Sequence, residues 1–251
     1  MKSTLMILFS IIVLTACVNT KTLPLSYKSI SFTGQIDDDS ADKIIQKIQT
    51  PPLTNKLIIN SGGGNTLATL RLAKVISYRN IDVVVDGACI SSCAHLILPA
   101  AKNVYITDRS VIAFHTNLFG WLEYFKGKNQ ERYSNILNDG VDIANFLESK
   151  GASIDVLFCV SALHKPNKTV KDNSKETSRR VKYRFLIADE EKLLWYGIKN
   201  IHYLTGYKSK PIEEQLAKSG VGLTGANNNW AIKDCETIDT SIWEAVKSDL
   251  Q

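Results

Sequence analysis

The chain has 251 residues, of which 44% are hydrophobic, enough to build a core without a structural metal or a dense set of disulfides. Its 30 basic residues exceed its 25 acidic ones by only five. This mild excess would fit contact with an anionic membrane or with nucleic acid, but the charge alone decides neither. We expect no nucleic-acid partner.

The first residues have the pattern of an export signal. Lys2 begins a short basic region, and residues 5–14 are apolar but too few to span a membrane stably. The tetrapeptide L-T-A-C at 14–17 resembles the lipobox of bacterial lipoprotein precursors. We therefore expect a signal peptide over 1–16 and a lipid on Cys17 that anchors the chain to a membrane. The alternative is an ordinary secretory signal cut nearby.

The expected location follows from the same segment. Val18 follows Cys17, whereas an aspartate at that position retains enterobacterial lipoproteins in the inner membrane. The resemblance to lipoprotein precursors therefore implies a protein of the cell envelope that faces the periplasm, at the outer membrane. Residues 17–28 are then a tether, 29–205 a folded domain and 206–251 an irregular C-terminal extension that ends in a short helix from Ser241.

Export also affects the expected state of the other four cysteines, because the compartment would be oxidising. Four cysteines allow three pairings. We hypothesise that Cys89 pairs with Cys93, bracing a turn, and that Cys159 pairs with Cys235, tying the tail to the body. A zinc site is not expected, since no histidine stands at ligand spacing from the first pair.

Between residues 29 and 205 the pattern alternates between short apolar runs and segments with helical periodicity. The predicted strands are 30–32, 57–59, 83–85, 104–106 and 111–114, and residues 185–187 are predicted to be a strand or a turn. Four helical segments are predicted. The first has its apolar face at Ala41, Ile44, Ile45 and Ile48, and the second at Leu67, Leu70, Ala73, Val75 and Ile76. The third is a long stretch over 118–150, and the fourth ends at Gly197. Residues 165–182 are predicted to be a loop or flap.

Repeated strand-to-helix units predict an α/β fold with mostly parallel strands, whose sites lie at the carboxyl ends of those strands. Gly64, Ser91 and His115 all follow predicted strands. A hydroxyl near a base, with N–H donors beside it, is what nucleophilic acyl transfer requires. Taken singly, the serines could be helix caps and the glycines at 62–64 a flexible turn.

Three motifs together resemble the proteolytic subunit of Clp protease. The segment I-N-S-G-G-G at 59–64 is similar to that family's I-N-S-P-G-G, and G-A-C-I-S-S at 87–92 to its G-Q-A-A-S-M turn. His115 falls where the family has its catalytic histidine, 24 residues after Ser91. The C-x-S-x-C pattern of Cys89–Cys93 resembles an exported bacterial branch of the Clp/crotonase-like superfamily.

The resemblance implies a role for each of these residues. Ser91 would be the nucleophile and His115 the base, and the N–H groups of Gly64 and Ser92, with Gly63 beside them, would bind the oxyanion. Ser92 as the nucleophile is the alternative assignment. The resemblance also implies a Clp/crotonase-like spiral of strand-turn-helix units over roughly residues 30–201.

One position departs from the family. Aligned through Phe185 and the Y-G-I segment, the family's third catalytic residue, an aspartate, corresponds to Tyr183. A neutral tyrosine stabilises an imidazolium less than a carboxylate does. Asp172 and Asp155 are candidate replacements, although no pattern supports either. His95, His164 and His202 are expected to be structural.

The sequence therefore predicts an exported serine hydrolase, an endopeptidase acting on peptides or unfolded protein without metal or other cofactor. The alternative is a non-catalytic envelope protein that keeps the fold to bind peptides or partner proteins. Acyl-CoA chemistry, as in crotonases, is a third reading, but CoA is not expected in the periplasm. Clp-type subunits assemble into rings, so the resemblance implies a homo-oligomer. The aromatic residues within 118–150 differ from those of the family's ring-forming helix, so we do not predict a ring for this chain.

Overall fold

An eight-stranded sheet with helices packed against it forms the body of the protein. The structure is a computed structural model, which describes residues 28–115, 122, 125–163, 185–204, 212–219, 226–227 and 231–236. The expected signal peptide, Cys17 and its tether, the loop over 165–182, Tyr183 and the helix from Ser241 lie outside the described residues.

The described strands are β1 (Lys28–Thr33), β2 (Thr54–Ser61), β3 (Asp82–Ile90), β4 (Val104–Ile106), β5 (Val111–Phe114), β6 (Phe185–Ile187), β7 (Ile201–Tyr203) and β8 (Ala226–Asn227). The described helices are α1 (Asp38–Gln49), α2 (Thr66–Tyr78), α3 (Leu98–Ala100), α4 (Gln130–Lys150), α5 (Asp155–Leu163), α6 (Glu190–Tyr196), α7 (Ile212–Ser219) and α8 (Lys233–Glu236). A π-helical segment, Cys93–Ile97, precedes α3.

The strands are mostly parallel, which confirms the predicted α/β class. The sheet order is β1-β2-β3-β5-β6-β8, while β4 pairs with β3 and β7. Only the β5–β6 pair is antiparallel among the described pairs. Parallel strands bring their carboxyl ends to one edge, so the residues that follow β2, β3 and β5 can meet there.

Helices α1 and α2 begin where their capping residues allow. Asp37 accepts a hydrogen bond from the Ser40 N–H, and Ser40 returns one to the Asp37 N–H, a reciprocal capping box. Asn65 caps α2 by accepting from the Ala68 N–H at 3.0 Å. Six of the nine predicted apolar positions of α1 and α2 are buried, Ile45 and Val75 are partly buried, and Leu67 is exposed in the first turn of α2.

Strand β3 bends in its middle. Residues 83–85 pair with β4, whereas residues 88–90 pair with β5. Opposite this change the β2–β3 register jumps from Ile59 with Val85 to Ser61 with Cys89, so β3 contains two extra residues. Such a bulge turns the end of a strand away from its first neighbour.

The Asn60 side chain fills the bulge. Its Oδ1 accepts a hydrogen bond from the Ala88 N–H at 2.8 Å. Gly87 adopts a φ of 121°, and a Cβ built there would lie 2.6 Å from Asn60 Cγ. Only glycine combines that backbone conformation with so close a neighbour. Asn60 therefore holds the bend that redirects β3.

The turn between β4 and β5 supports the bend from the other side. Ser110 Oγ donates to the Val85 carbonyl at 2.7 Å, and Thr107 Oγ1 donates to Asp86 at 3.0 Å. Arg109 forms an ion pair with the same aspartate. These bonds provide partners for the backbone and side-chain groups of β3 at the point where its pairing with β4 stops.

Two sequence predictions about helices need correction. Within the stretch predicted as helical over 118–150, residues 126–129 form a turn and Asn129 caps a new helix that begins at Gln130. The predicted irregularity of 206–251 is wrong for Ile212–Ser219, which is helical, and for Ala226–Asn227, which pairs with β6. Both errors come from polar, amphipathic segments whose order depends on contacts with the rest of the fold.

The glycine loop after β2 generates a stability prediction. A Cβ on Gly64, at a φ of 152°, would lie 2.2 Å from the Ile36 carbonyl oxygen, whereas a Cβ on Gly62 would meet nothing within 4 Å. Gly64→Ala should lower the free energy of unfolding by at least the roughly 1–3 kcal/mol of the backbone strain. Urea denaturation measures it, with Gly62→Ala as the control. Equal stability of the two variants would contradict the packing of this loop on Ile36.

Candidate active site

Ser91 lies immediately after β3 in a strained backbone conformation. Its φ is 60°, in the left-handed region that non-glycine residues rarely adopt. The Ser91 N–H donates to the Ala113 carbonyl of β5 at 3.0 Å, and the Ser91 carbonyl accepts from the His95 N–H at 2.9 Å. The side chain is half-buried. A conformation of this kind persists only where its surroundings fix it.

A disulfide encloses Ser91. Cys89 and Cys93 are joined with an S–S distance of 2.04 Å, and both residues are buried. The second described disulfide joins Cys159 of α5 to Cys235 of α8, 76 residues apart. Both pairings hypothesised from the sequence are confirmed. The first closes a loop of five residues around Ser91 and so limits the conformations open to the turn.

Ser92 has surroundings different from those of Ser91. It is buried, and its hydroxyl shares a 3.0 Å hydrogen bond with the hydroxyl of Thr69 on α2. Its main chain begins the π-helical segment, where N–H groups have no partner within the helix. The hydroxyl of Ser92 is thus held within the core, while its N–H is at a helix N-terminus beside Ser91.

The glycine loop packs directly against this turn. A Cβ on Gly63, at a φ of 88°, would lie 2.8 Å from Ser91 Cβ and 3.0 Å from Ser92 N. The Gly63 carbonyl accepts from the Ile36 N–H, and the Asn65 N–H donates to the Ile36 carbonyl. Gly64 lies between the two residues that make these bonds, and its N–H is the donor in neither of them. Glycine is required at 63 because the two backbones touch.

The N–H of Gly63 has a different use from the one that the resemblance implied. It donates to Ser61 Oγ at 3.1 Å, and Ser61 is buried. This bond turns the Gly63 N–H back into its own loop, away from a role as an oxyanion donor. Gly63 instead supplies close backbone contact, while Gly64 and Ser92 carry the remaining predicted donors.

His115 lies beside Ser91 at the same edge of the sheet. The last described β3–β5 pair joins Ile90 to Ala113, and Ser91 and His115 follow within two residues of it. The carbonyl oxygens of both residues lie within hydrogen-bond distance of His95, at 2.9 Å from its N and 3.1 Å from its Nε2. The half-buried ring of His115 meets Phe185 of β6 edge to face, with centroids 5.1 Å apart.

His95, expected to be structural, is buried beneath this edge. Its Nε2 lies 3.1 Å from the His115 carbonyl oxygen. The pKa of His95 is lowered to about 3, mainly because the ring is buried; the hydrogen bond to the His115 carbonyl opposes the shift, and the nearby His115 imidazole adds to it. His95 is therefore neutral at any pH near neutrality.

The structure leaves the third catalytic residue as a prediction. Asp155 is exposed at the start of α5, where its carboxylate accepts from Ser153 Oγ at 3.0 Å. The Ser153 N–H donates to the Tyr196 carbonyl, so Asp155 lies at the C-terminal end of α6. Tyr183 and Asp172 lie outside the described residues.

The remaining histidines show no metal-binding arrangement in the described part of the chain. The exposed His202 stacks on Tyr105, with ring centroids 4.9 Å apart, and His164 lies outside the described residues. No group of three or more histidine, cysteine, aspartate or glutamate side chains comes together among the residues described. Within the same residues, no helix is both long enough and apolar enough to cross a membrane.

With this geometry in view, comparison with known families identifies one match. Residues 16–126 match the family model described as Clp protease. Over these residues the chain is Clp protease-like. The resemblance to Clp protease is therefore confirmed, and the matched stretch includes the glycine loop, Ser91, Ser92 and His115. No curated protein matches the chain.

Solved structures similar to this chain include two Clp proteases. A ClpP1 mutant from Listeria monocytogenes is 17% identical, with a TM-score of 0.45 over 71% of this chain and 91% of that one. The ClpP protease catalytic domain from Plasmodium falciparum is also 17% identical, with a TM-score of 0.43 over 73% of this chain and 88% of that one.

Three residues make contacts that support the site, and the sequence alone did not indicate these contacts. Asn60 holds the bend in β3, Thr69 fixes the Ser92 hydroxyl, and His95 contacts the main chain of His115. Asn60 belongs to a motif that could have been recognised as structural. The other two contacts join residues more than 19 positions apart, so no local pattern signals them.

The buried His95 predicts a pH dependence of stability. Its pKa is about 3 in the folded chain and about 6.5 when unfolded, so its stabilising contribution is complete above pH 6.5 and is lost as the pH falls toward 3. Between pH 7 and pH 5 wild type should lose about 2 kcal/mol of unfolding free energy more than His95→Gln. Chemical denaturation at both pH values measures this, with the exposed His202→Gln as the control. Equal losses of unfolding free energy in wild type and in His95→Gln would show that the His95 side chain is not buried.

Proposed function

We propose that the protein is a serine peptidase that acts through an acyl-enzyme. One observation carries this proposal most strongly: Ser91 is half-exposed in a strained conformation, fixed by a disulfide, against a glycine loop and at the end of a strand that pairs with the strand preceding His115. Strain of this kind gathers at functional sites. A serine that served only as a helix cap would need none of these constraints.

The proposed reaction begins when Ser91 Oγ attacks the carbonyl carbon of a peptide bond and passes its proton to the His115 ring. The carbonyl oxygen becomes negative and accepts hydrogen bonds from the N–H groups of Gly64 and Ser92. Collapse of this intermediate breaks the C–N bond, and the leaving amine takes the proton from His115. Water, activated by the same ring, then hydrolyses the acyl-serine and restores both residues.

The buried hydroxyl of Ser92 supports Ser91 as the nucleophile. A nucleophile must be able to approach a substrate from the site, and Ser92 Oγ is bonded to Thr69 within the core. Its N–H remains suited to binding an oxyanion. The two serines therefore divide the chemistry, one supplying the hydroxyl and the other the backbone donor.

Peptides or unfolded proteins are the proposed substrates, and self-association is proposed with them, since both are carried over from the Clp protease match. The export signal makes an ATP-driven unfolding partner inconsistent with the location, because ATP is absent outside the cytoplasm. We further propose that the protein is a lipoprotein of the cell envelope, anchored through Cys17 and facing the periplasm.

A second candidate function is a non-catalytic module that binds peptides. Tyr183, where the family has an aspartate, favours it, because without a carboxylate the imidazolium formed on His115 is less stabilised. The strained backbone of Ser91 and the disulfide around it argue against this second candidate. The two candidates differ in whether Ser91 reacts.

Labelling with a fluorophosphonate probe tests this difference. Wild type should react covalently, and Ser91→Ala should reduce labelling at least about 10³-fold, because the attacking oxygen is gone. Mass spectrometry of the labelled peptide identifies the site. Ser92→Ala is the matched control, since alanine keeps the N–H at the same position, and it should retain labelling. A folded wild type that is unlabelled would leave the binding module as the function.

Processing of the precursor tests the proposed anchor. In cells treated with globomycin, which blocks the lipoprotein signal peptidase, the uncleaved precursor with residues 1–16 should accumulate. Cys17→Ser should likewise prevent lipid attachment, because serine lacks the thiol that receives it. Immunoblotting of membrane fractions measures both effects. Normal maturation in the presence of globomycin would mean that an ordinary secretory signal is present.

A further inference from the structure

The buried side chain of His95 makes one described hydrogen bond. Its Nε2 lies 3.1 Å from the carbonyl oxygen of His115. A carbonyl oxygen can only accept, so Nε2 carries the proton and Nδ1 is the bare nitrogen. Among the described residues, Nδ1 has no hydrogen-bond partner. An apolar residue of similar size would avoid this unsatisfied nitrogen, so the bond to His115 is the feature that distinguishes histidine at this position.

The main chain of His95 makes a second connection, to the other side of the site. Its N–H donates to the Ser91 carbonyl at 2.9 Å. One residue thus hydrogen-bonds the backbone of Ser91 through its own backbone and the backbone of His115 through its ring. Both bonds end on main-chain carbonyl oxygens and not on the reactive side chains of Ser91 and His115.

The ring that makes this connection is itself held in place. Its centroid lies 4.9 Å from the Phe114 ring and 6.1 Å from the Tyr196 ring, the latter edge to face. Tyr196, fully buried on α6, donates its hydroxyl to the His95 carbonyl at 2.6 Å. Aromatic packing and this bond restrict the rotation of the His95 side chain.

The bond lies just past the end of the strand pairing among the described residues. The last described β3–β5 pair is Ile90 with Ala113, and the last β5–β6 pair joins Phe114 to Leu186. His115 follows β5, beyond both pairs. The His95 ring therefore contacts the main chain just past the end of the described strand pairing.

We propose that His95 is a positioning residue that sets the distance between Ser91 and His115 by hydrogen-bonding the backbone of both. This inference rests on the proposed function, since it assigns His95 a role in the reaction of Ser91. The neutral state of His95 suits the role, because a charged ring beside His115 would oppose the proton transfer that His115 performs. His95 itself touches no substrate.

Two variants at position 95 separate the hydrogen bond from packing. Gln places an N–H donor near the position of the His Nε2, whereas Met has similar length and no donor. Both lose the ring contacts with Phe114 and Tyr196 to the same degree, so they form a matched pair. Circular dichroism and the non-reduced mass of the Cys89–Cys93 peptide establish that each variant is folded.

The rate of fluorophosphonate labelling, resolved into a binding constant and a maximal inactivation rate, is the readout. His95→Met should lower the maximal rate about tenfold or more, because small displacements of a base from its nucleophile are costly in rate, and should leave the binding constant within about twofold. His95→Gln should restore most of the rate. A His95→Met rate equal to that of wild type overturns the proposal, as does a His95→Gln rate as low as that of His95→Met.

A second measurement does not depend on activity. Nitrogen-15 spectra of the imidazole groups should show wild-type His95 protonated at Nε2 alone, and His115 signals that shift in His95→Met but not in His95→Gln. His115 signals unchanged in both variants overturn the positioning role. A folded wild type that the probe does not label contradicts the proposed function, and the imidazole spectra then still decide whether His95 fixes the position of His115.

Discussion

The bend in β3 is the constraint on which the site depends. Asn60 satisfies the Ala88 N–H within the bulge, and Gly87 allows the close approach of that side chain. Because of the bend, the first half of β3 pairs with β4 and the second half with β5. A straight strand would continue along β4 and carry Ser91 away from His115. A side chain at position 87 or an apolar residue at 60 would therefore disturb chemistry several residues away.

The conformation of Ser91 depends on contacts made in three directions. The disulfide restrains the chain on both sides, the Ala113 carbonyl binds the Ser91 N–H, and the His95 N–H binds its carbonyl. Gly63 approaches from the loop after β2. In the proposed reaction, a site held this way would need little rearrangement when a substrate binds, which is the condition under which fixed N–H donors stabilise a developing charge. The disulfide is also consistent with the oxidising compartment that the predicted export signal would imply.

The sequence predicted the strands and most helices because each carries its own periodicity or cap. Apolar runs at 57–59 and 83–85 lie in buried strands, and Asp37 begins a helix by bonding its first turn. The prediction failed where neighbours decide. Leu67 fits a helical face but lies in the first turn of α2, near the loop, where nothing covers it fully. Ile212–Ser219, read as irregular, is a helix that packs on the body through its partly buried Leu216.

By itself the sequence determined the order and spacing of Gly64, Ser91 and His115 at the ends of strands, together with the cysteine pattern that confines Ser91. These are local features, since motifs and strand ends are encoded by adjacent residues. Only the tertiary structure separated the roles of Ser91 and Ser92, turned the Gly63 N–H toward Ser61 and brought His95 to the backbone of His115. Each of these depends on which groups are buried together and where their hydrogen bonds end, and such contacts join residues that the linear pattern does not relate.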